Sequence, residues 1–236
     1  MQLPPDPQDN GVDFLREEVL AAIHEMKNNK AEGIDNIPVE MMKELGDKAI
    51  NELVKICNNI YNTGEWPDDF LQSIFVPLKK KPNAMNCGDY RTITLISHAS
   101  KIIMKMIAKR IRSKAENNNL LSKDQFGFRR GMGTRDAIGT LRIICDRMLE
   151  LKIEVFTCFV DYEKAFDRVN WKTLMSALER LGVDWKDRRL IRNLYLNQSV
   201  RIRIDGTDSA AGKVGRGVRQ GCPLSPLCSS YIWKKS

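Results

Sequence analysis

Residues 153–169, IEVFTCFVDYEKAFDRV, change character midway. The first half is apolar, β-branched and aromatic, the pattern of a buried strand of about 4–8 residues. It ends on a carboxylate, Asp161, and passes into a helix-like pattern that carries a second carboxylate, Asp167. An ionised carboxylate taken out of water is costly unless it is paired, hydrogen-bonded or bound to a metal. Two chemistries meet that requirement. Asp161 caps the following helix by accepting its backbone N–H groups, or it ligates a cation at the end of the strand. This stretch alone leaves both open.

The basic residues point to a second chemistry. Residues 79–147 hold 16 Lys and Arg against 5 Asp and Glu, an excess of 11, so the rest of the chain carries −3 of the net +8. Positive charge confined to one middle segment favours a polyanionic partner. The six cysteines are scattered without a Cys-x-x-Cys pair, and only two histidines occur, so a zinc site is not expected. Reduced thiols in an intracellular protein, nuclear or cytoplasmic and not secreted, are the expectation, with Cys158 a small core residue. No apolar stretch approaches the roughly 18 residues that span a bilayer, so no membrane partner is expected. The start, MQLPPDPQDN, lacks the basic and apolar regions of a signal peptide and reads as a disordered tail over 1–12.

Helices and short strands must position these groups, which predicts an α+β fold. Leu15, Val19, Ala22 and Met26 form one helical stripe, with His24 beside it and without a role. A second helix begins near Pro38 and carries Leu45, Leu53, Ile56 and Ile60. Two short strands flank a basic turn within residues 73–96. A basic amphipathic helix follows, with Ile103, Ile107 and Ile111 inward and its methionines as core filler. A Gly-rich basic loop then leads to a helix that Thr134 caps. Helices are expected from about Asp167 to Leu181 and around Leu190 to Leu196. Val200, Ile202 and Ile204 alternate with Arg201 and Arg203 ahead of Asp205-Gly206, a hairpin signal with one basic face.

Several stretches, in order, resemble one family, the reverse transcriptases of non-LTR (LINE-type) retrotransposons. AEGIDNIPVEMM is similar to the N-terminal extension motif. SIFVPLKKKP and YRTITLI are similar to the two fingers strands, and DQFGFRRGMGTRDAI to the Gln-Phe-Gly-Phe-Arg loop. FVDYEKAFDRV and GVRQGCPLSPL resemble the first and second palm motifs. The resemblance implies a right-hand polymerase fold: a helical N-terminal extension (13–62), fingers (63–150) and an incomplete palm (151–236). It implies RNA template, DNA primer and dNTP as partners and two Mg²⁺ ions as cofactors. Asp161 is then a catalytic metal ligand, with the backbone carbonyl of Tyr162 as a second oxygen. Lys79, Arg91, Phe166 and Gln220 are implied nucleotide-binding residues, Phe166 as the ring that excludes a 2′-hydroxyl. Gln125, Phe128, Arg129 and Arg130 are implied template or primer contacts. Asp167 is read as structural.

Two departures stand out. The second fingers strand reads Arg91-Thr92-Ile93-Thr94 where the family has Arg-Pro-Ile-Ser. After CPLSPL, where the family runs on to a Tyr/Phe-x-Asp-Asp hairpin, this sequence has no Asp or Glu beyond Asp208. The expectation is therefore a truncated RNA-directed DNA polymerase fragment, inactive alone, with a non-catalytic RNA- or DNA-binding remnant as the alternative. Nucleic-acid binding through residues 79–147 predicts a salt response. If about 5 phosphates are neutralised, log K against log salt has a slope of about −3.5 to −4.5. A filter-binding series on RNA checks it, and a flat response refutes it.

Overall fold

The hydrophobic stripes of the sequence become the inner faces of a helical body. A computed structural model of the chain describes residues 11–118, 122, 124–129 and 131–226. Residues 1–10 of the expected tail, and Arg130, lie outside the described residues. The first helices are α1 (Arg16–His24), α2 (Val39–Lys43), α3 (Asp47–Thr63) and α4 (Asp68–Leu71). Next come strands β1 (Gln72–Lys79) and β2 (Tyr90–Leu95), then helices α5 (His98–Asn117) and α6 (Thr134–Glu150). Helices α7 (Trp171–Arg180) and α8 (Trp185–Asn197) precede β3 (Ser199–Ile204), β4 (Thr207–Asp208) and β5 (Gly212–Lys213).

Helix α5 is the axis of the core. Ile103, Ile107 and Ile111 are buried, and Met104 and Met106 fill the space beside them. Ser97 caps the helix by accepting the Ser100 N–H. Arg110 joins three helices: it pairs with Glu18 at 2.8 Å and stacks over Phe14, 4.5 Å to the ring centroid. It also lies over the Tyr61 ring of α3 at 5.5 Å. Burial opposes the Glu18 charge, but hydrogen bonds from Arg110 and the Leu15 N–H hold its carboxyl below the usual range. The Trp66 indole N–H donates to the Leu190 carbonyl at 2.9 Å and ties the segment after α3 to α8.

The sheet has the order β2-β1-β3-β4, with β5 also on β3. β1 runs antiparallel to β2 (Phe75 opposite Thr94) and parallel to β3 (Phe75 opposite Ile202). The expected hairpin forms at Asp205 (φ 49°) and Gly206 (φ 80°), two positive φ values that suit strand twist. Arg203 clasps Asp208 with two bonds, 2.6 and 2.9 Å, which hold that carboxyl below its ordinary range.

Several expectations are corrected. Residues 153–160 form no strand and Cys158 is exposed; Phe156 and Phe159 are 90% and 81% exposed. A strand exists only as part of a ladder, and among the described residues none lies alongside this run. Asp161 is therefore not at a buried strand end. The helix expected from Pro38 is broken at Gly46, so the α3 stripe is Ile50, Cys57, Ile60 and Tyr61, while Leu45 and Ile56 are exposed. Phe14 is buried in place of Leu15. The helix expected from Asp167 starts at Trp171, because the Asn170 side chain accepts the N–H groups of Lys172 and Thr173. Gly133, not Thr134, holds the cap position of α6, where the Asp136 carboxylate accepts the Gly133 N–H at 2.7 Å. The apolar face of β3 is uncovered: Ile202 and Ile204 are exposed.

Helix α6 has no buried residue, although Ile138, Ile143 and Leu149 share its length. This contrast makes a stability prediction. Leu194→Ala, in the closed core of α8, should cost about 2–5 kcal/mol. Ile143→Ala, on uncovered α6, should stay within about 0.5 kcal/mol. Urea unfolding of both variants decides it, and equal losses would contradict this account of the core.

Candidate functional site

Two loops distant in sequence lie against each other. The Gly217 N–H donates to the Val169 carbonyl (2.8 Å), and the Val218 N–H to the Phe166 carbonyl (2.9 Å). The Trp171 indole N–H closes the seam on the Gly217 carbonyl at 2.7 Å. Gly217 has φ +90°, and a Cβ there would stand 2.9 Å from the Asp167 carbonyl oxygen, so the approach requires glycine. The first and second carboxylate- and glutamine-bearing motifs are thus one unit.

Gln220 is at its centre. Its side-chain N–H donates to the Asp167 carboxylate at 3.0 Å, and its backbone carbonyl accepts the Thr94 N–H of β2 at 2.9 Å. A cavity of about 150 Å³ opens here, lined by Phe75, Thr92, Thr94, Asp167, Arg219 and Gln220. Asp167 therefore has the structural hydrogen bond expected of it. Phe166 is half-buried against the core, one residue from this bond. Arg219 had no expected role, yet it is buried and donates to Gln198 and to the carbonyls of Phe70 and Leu71. Its position beside Gln220 was the only sequence signal for it.

Strand alternation sorts the expected cations. Lys79 is paired with Tyr90 and shares the face of Thr92, Thr94 and the Gln220 cavity. Arg91, opposite Leu78, belongs to the other face. Both are exposed close to the hairpin turn, so they can hold one anion jointly only around that turn. Lys81 is occupied by Asp89 at 2.8 Å, and the Lys80 ammonium donates to the Gly88 carbonyl at 3.1 Å.

The Arg91 face carries a groove of about 710 Å³ that the motif reading did not assign. Val76, Ile93 and Leu95 supply apolar walls, Gly221 and Pro223 one border, and Lys27, Lys30, Lys101 and Lys105 the charge. Lys105 pairs with Glu25 at 3.1 Å. Lys101 makes no ion pair among the described residues, and burial pushes its pKa below the usual lysine value. A basic apolar channel of this kind suits a strand with charged phosphates and flat bases. The signal was available in the basic face of α5 but could not be joined to Lys27 and Lys30 without the fold.

The other expected residues are not gathered here. Asp161 is exposed and makes no hydrogen bond or ion pair among the described residues, and Tyr162 beside it is 46% exposed. Gln125, Phe128 and Arg129 lie in the loop between α5 and α6, where Arg129 donates to the Ser122 carbonyl at 2.8 Å and Phe128 has φ 58°. None of the three lines the groove. Among the described residues no three His, Cys, Asp or Glu side chains are grouped to hold a metal ion.

Comparison with known proteins adds the following. The profile of a family described as reverse transcriptase (RNA-dependent DNA polymerase) matches residues 78–235. The RNA-directed DNA polymerase from mobile element jockey of Drosophila funebris is 30% identical over 233 residues, 98% of this chain and 25% of the relative. A probable RNA-directed DNA polymerase from transposon BS of Drosophila melanogaster is 28% identical over 224 residues, 92% of this chain and 24% of the relative. The Pol polyprotein from type-1 retrotransposable element R2 of Nasonia vitripennis is 29% identical over 186 residues, 78% of this chain and 18% of the relative. The chain thus spans a quarter or less of the length of these relatives.

The seam between the loops is testable by itself. Gly217→Ala should destabilise the protein by about 1–3 kcal/mol, since it combines positive φ with a clash on backbone. Gly215→Ala, which meets nothing within 4 Å, should be near neutral. Thermal unfolding followed by tryptophan fluorescence compares them; a neutral Gly217→Ala would refute the close approach.

Proposed function

Because the chain belongs to the reverse transcriptase (RNA-dependent DNA polymerase) family, with relatives among non-LTR retrotransposon polymerases, we propose that it forms the nucleotide- and template-facing part of an RNA-directed DNA polymerase. In this reading the α+β fold is the right-hand polymerase fold, with a helical N-terminal extension, fingers and palm residues, acting in the nucleus or cytoplasm. The observation that carries it is the Gln220–Asp167 hydrogen bond, 3.0 Å across 53 positions, which unites the two palm-like motifs beside β2.

Lys79, Phe166 and Gln220 face the incoming dNTP, and Arg91 reaches its phosphates around the hairpin turn. The groove on the Arg91 face takes the RNA template strand, its phosphates on Lys30 and Lys101 and its bases against Ile93 and Leu95. Support comes from the groove's chemistry: cations neutralise the backbone while aliphatic side chains offer apolar surface against the bases. Gln125, Phe128 and Arg129, from the loop between α5 and α6, are assigned to template or primer DNA, as is Arg130, which lies outside the described residues.

Reverse transcriptases as a family use divalent metal ions. The described residues do not complete such a site: Asp161 is one carboxylate without two others beside it. What these residues do by themselves is bind and orient strand and nucleotide. That observation favours a second reading for the isolated chain, nucleic-acid binding without catalysis.

Primer extension on an RNA template tests both readings. The chain alone should bind RNA and incorporate no dNTP, and template-dependent incorporation abolished by Asp161→Ala would contradict this. Continued by the corresponding downstream segment of a relative, the polypeptide should polymerise. Asp161→Asn should then lose roughly a thousandfold, about 4 kcal/mol. Asp167→Asn should cost far less, and Phe166→Ala should admit ribonucleotides. Neutralising Lys30 and Lys101 should raise the template Kd and leave the dNTP KM unchanged. If Asp161→Asn is harmless in an active polypeptide, the catalytic assignment fails.

A further inference from the structure

Arg219 and Gln220 are neighbours whose side chains have different partners. The Arg219 side chain is 3% exposed, and among the described residues no carboxylate pairs with it. Its guanidinium donates to the Gln198 side-chain oxygen at 2.9 Å, the Leu71 carbonyl at 2.7 Å and the Phe70 carbonyl at 3.4 Å. Its own carbonyl accepts the Ser225 hydroxyl at 2.6 Å and the Cys222 N–H at 3.1 Å. Burial pushes the arginine pKa down.

A buried cation without a counter-charge is disfavoured relative to an apolar side chain of similar volume. A methionine would fill this space, so packing does not call for arginine. What the planar fork adds is direction, because its donors have fixed angles. Those donors reach the end of α4, where the chain enters β1, and Gln198, where it enters β3. The loop is therefore registered to both strands through one side chain. The next residue, Gln220, donates its side-chain N–H to Asp167, and its backbone carbonyl accepts the Thr94 N–H.

We propose that Arg219 is a positioning residue: its guanidinium sets the place from which Gln220 engages Asp167 and faces the cavity beside β2. The consequence for nucleotide binding rests on the reading of Gln220 as a dNTP contact; the positioning itself does not.

The test uses the whole chain, labelled with ¹⁵N. Arg219→Met should speed exchange of the Thr94 amide by about tenfold or more. It should also shift the Gln220 side-chain NH₂ signals toward those of a solvated amide. The Ile103 and Ile107 amides of α5 should keep their protection. Arg219→Lys, which retains charge but not the fork, should behave like Arg219→Met. A loss of protection spread equally over α5 and the sheet would overturn the proposal, since that is what a general stability role does. Unchanged Gln220 and Thr94 signals in folded Arg219→Met would also overturn it. If Arg219→Met does not fold, Gln198→Met decides: it removes one acceptor and should give the same local pattern in smaller degree, and no local change overturns the proposal. A dATP titration separates the two readings. Arg219→Met should weaken binding as much as Gln220→Ala, with no further loss in the double variant, and additive losses overturn the proposal. If the unaltered chain binds no dATP, the nucleotide role of Gln220 falls, and the exchange data still decide the role of Arg219.

Discussion

A guanidinium can be buried only where its donors find acceptors, and the join between helices and sheet is built around that constraint. Arg219 takes carbonyls from the end of α4 and the amide oxygen of Gln198, which precedes β3. Those two points are where the chain enters the parallel pair β1 and β3, so one side chain spans the register of the sheet's centre. The loop that carries Arg219 also closes on residues 166–171 through Gly217 and on β2 through Gln220. Sheet, the two apposed loops and the helical body therefore meet at one residue.

The helical body shares its core with that join, since Val218, Cys222 and Leu224 of the loop belong to the same cluster. Phe14, Tyr61, Ile107, Leu178 and Leu194 belong to one continuous apolar cluster spanning α1, α3, α5, α7 and α8. Arg110 adds charge and stacking at its edge. By contrast α6 and residues 153–162 expose Ile143, Leu149, Phe156 and Phe159. Apolar surface on this scale is characteristic of regions that pack against further protein. The same segment carries Asp161, so the carboxylate stands where its surroundings are not supplied by the described residues.

The basic excess of the middle segment also divides in the structure. Lys81, Lys105, Arg110 and Lys114 are matched by Asp89, Glu25, Glu18 and Asp184. These exposed or half-exposed pairs contribute little stability, but they remove charge from the count available to a polyanion. Lys79, Arg91 and Lys101 make no ion pair among the described residues, and Lys101 lines the groove. Net charge indicated a partner class, and pairing shows which cations are free to meet it.

Much of this was readable from local pattern. The 3.6-residue period placed Ile103, Ile107 and Ile111 inward on α5, the Asp205-Gly206 pair marked a tight hairpin, and the order of motifs identified the family, because turn chemistry and amphipathic period are properties of neighbours along the chain. The sequence could not say that residues 153–160 lack a ladder: strand propensity is local, but the partner that makes a strand is not. Nor could it separate Lys79 from Arg91, which depends on the β1–β2 register, or bring Lys27 and Lys101 to one groove. Gln220 and Asp167 stand 53 positions apart, and Arg219 reads as a surface cation until Gln198, Phe70 and Leu71 surround it. Those decisions belong to tertiary structure, since hydrogen bonds and burial between distant segments exist only once the chain has folded them together.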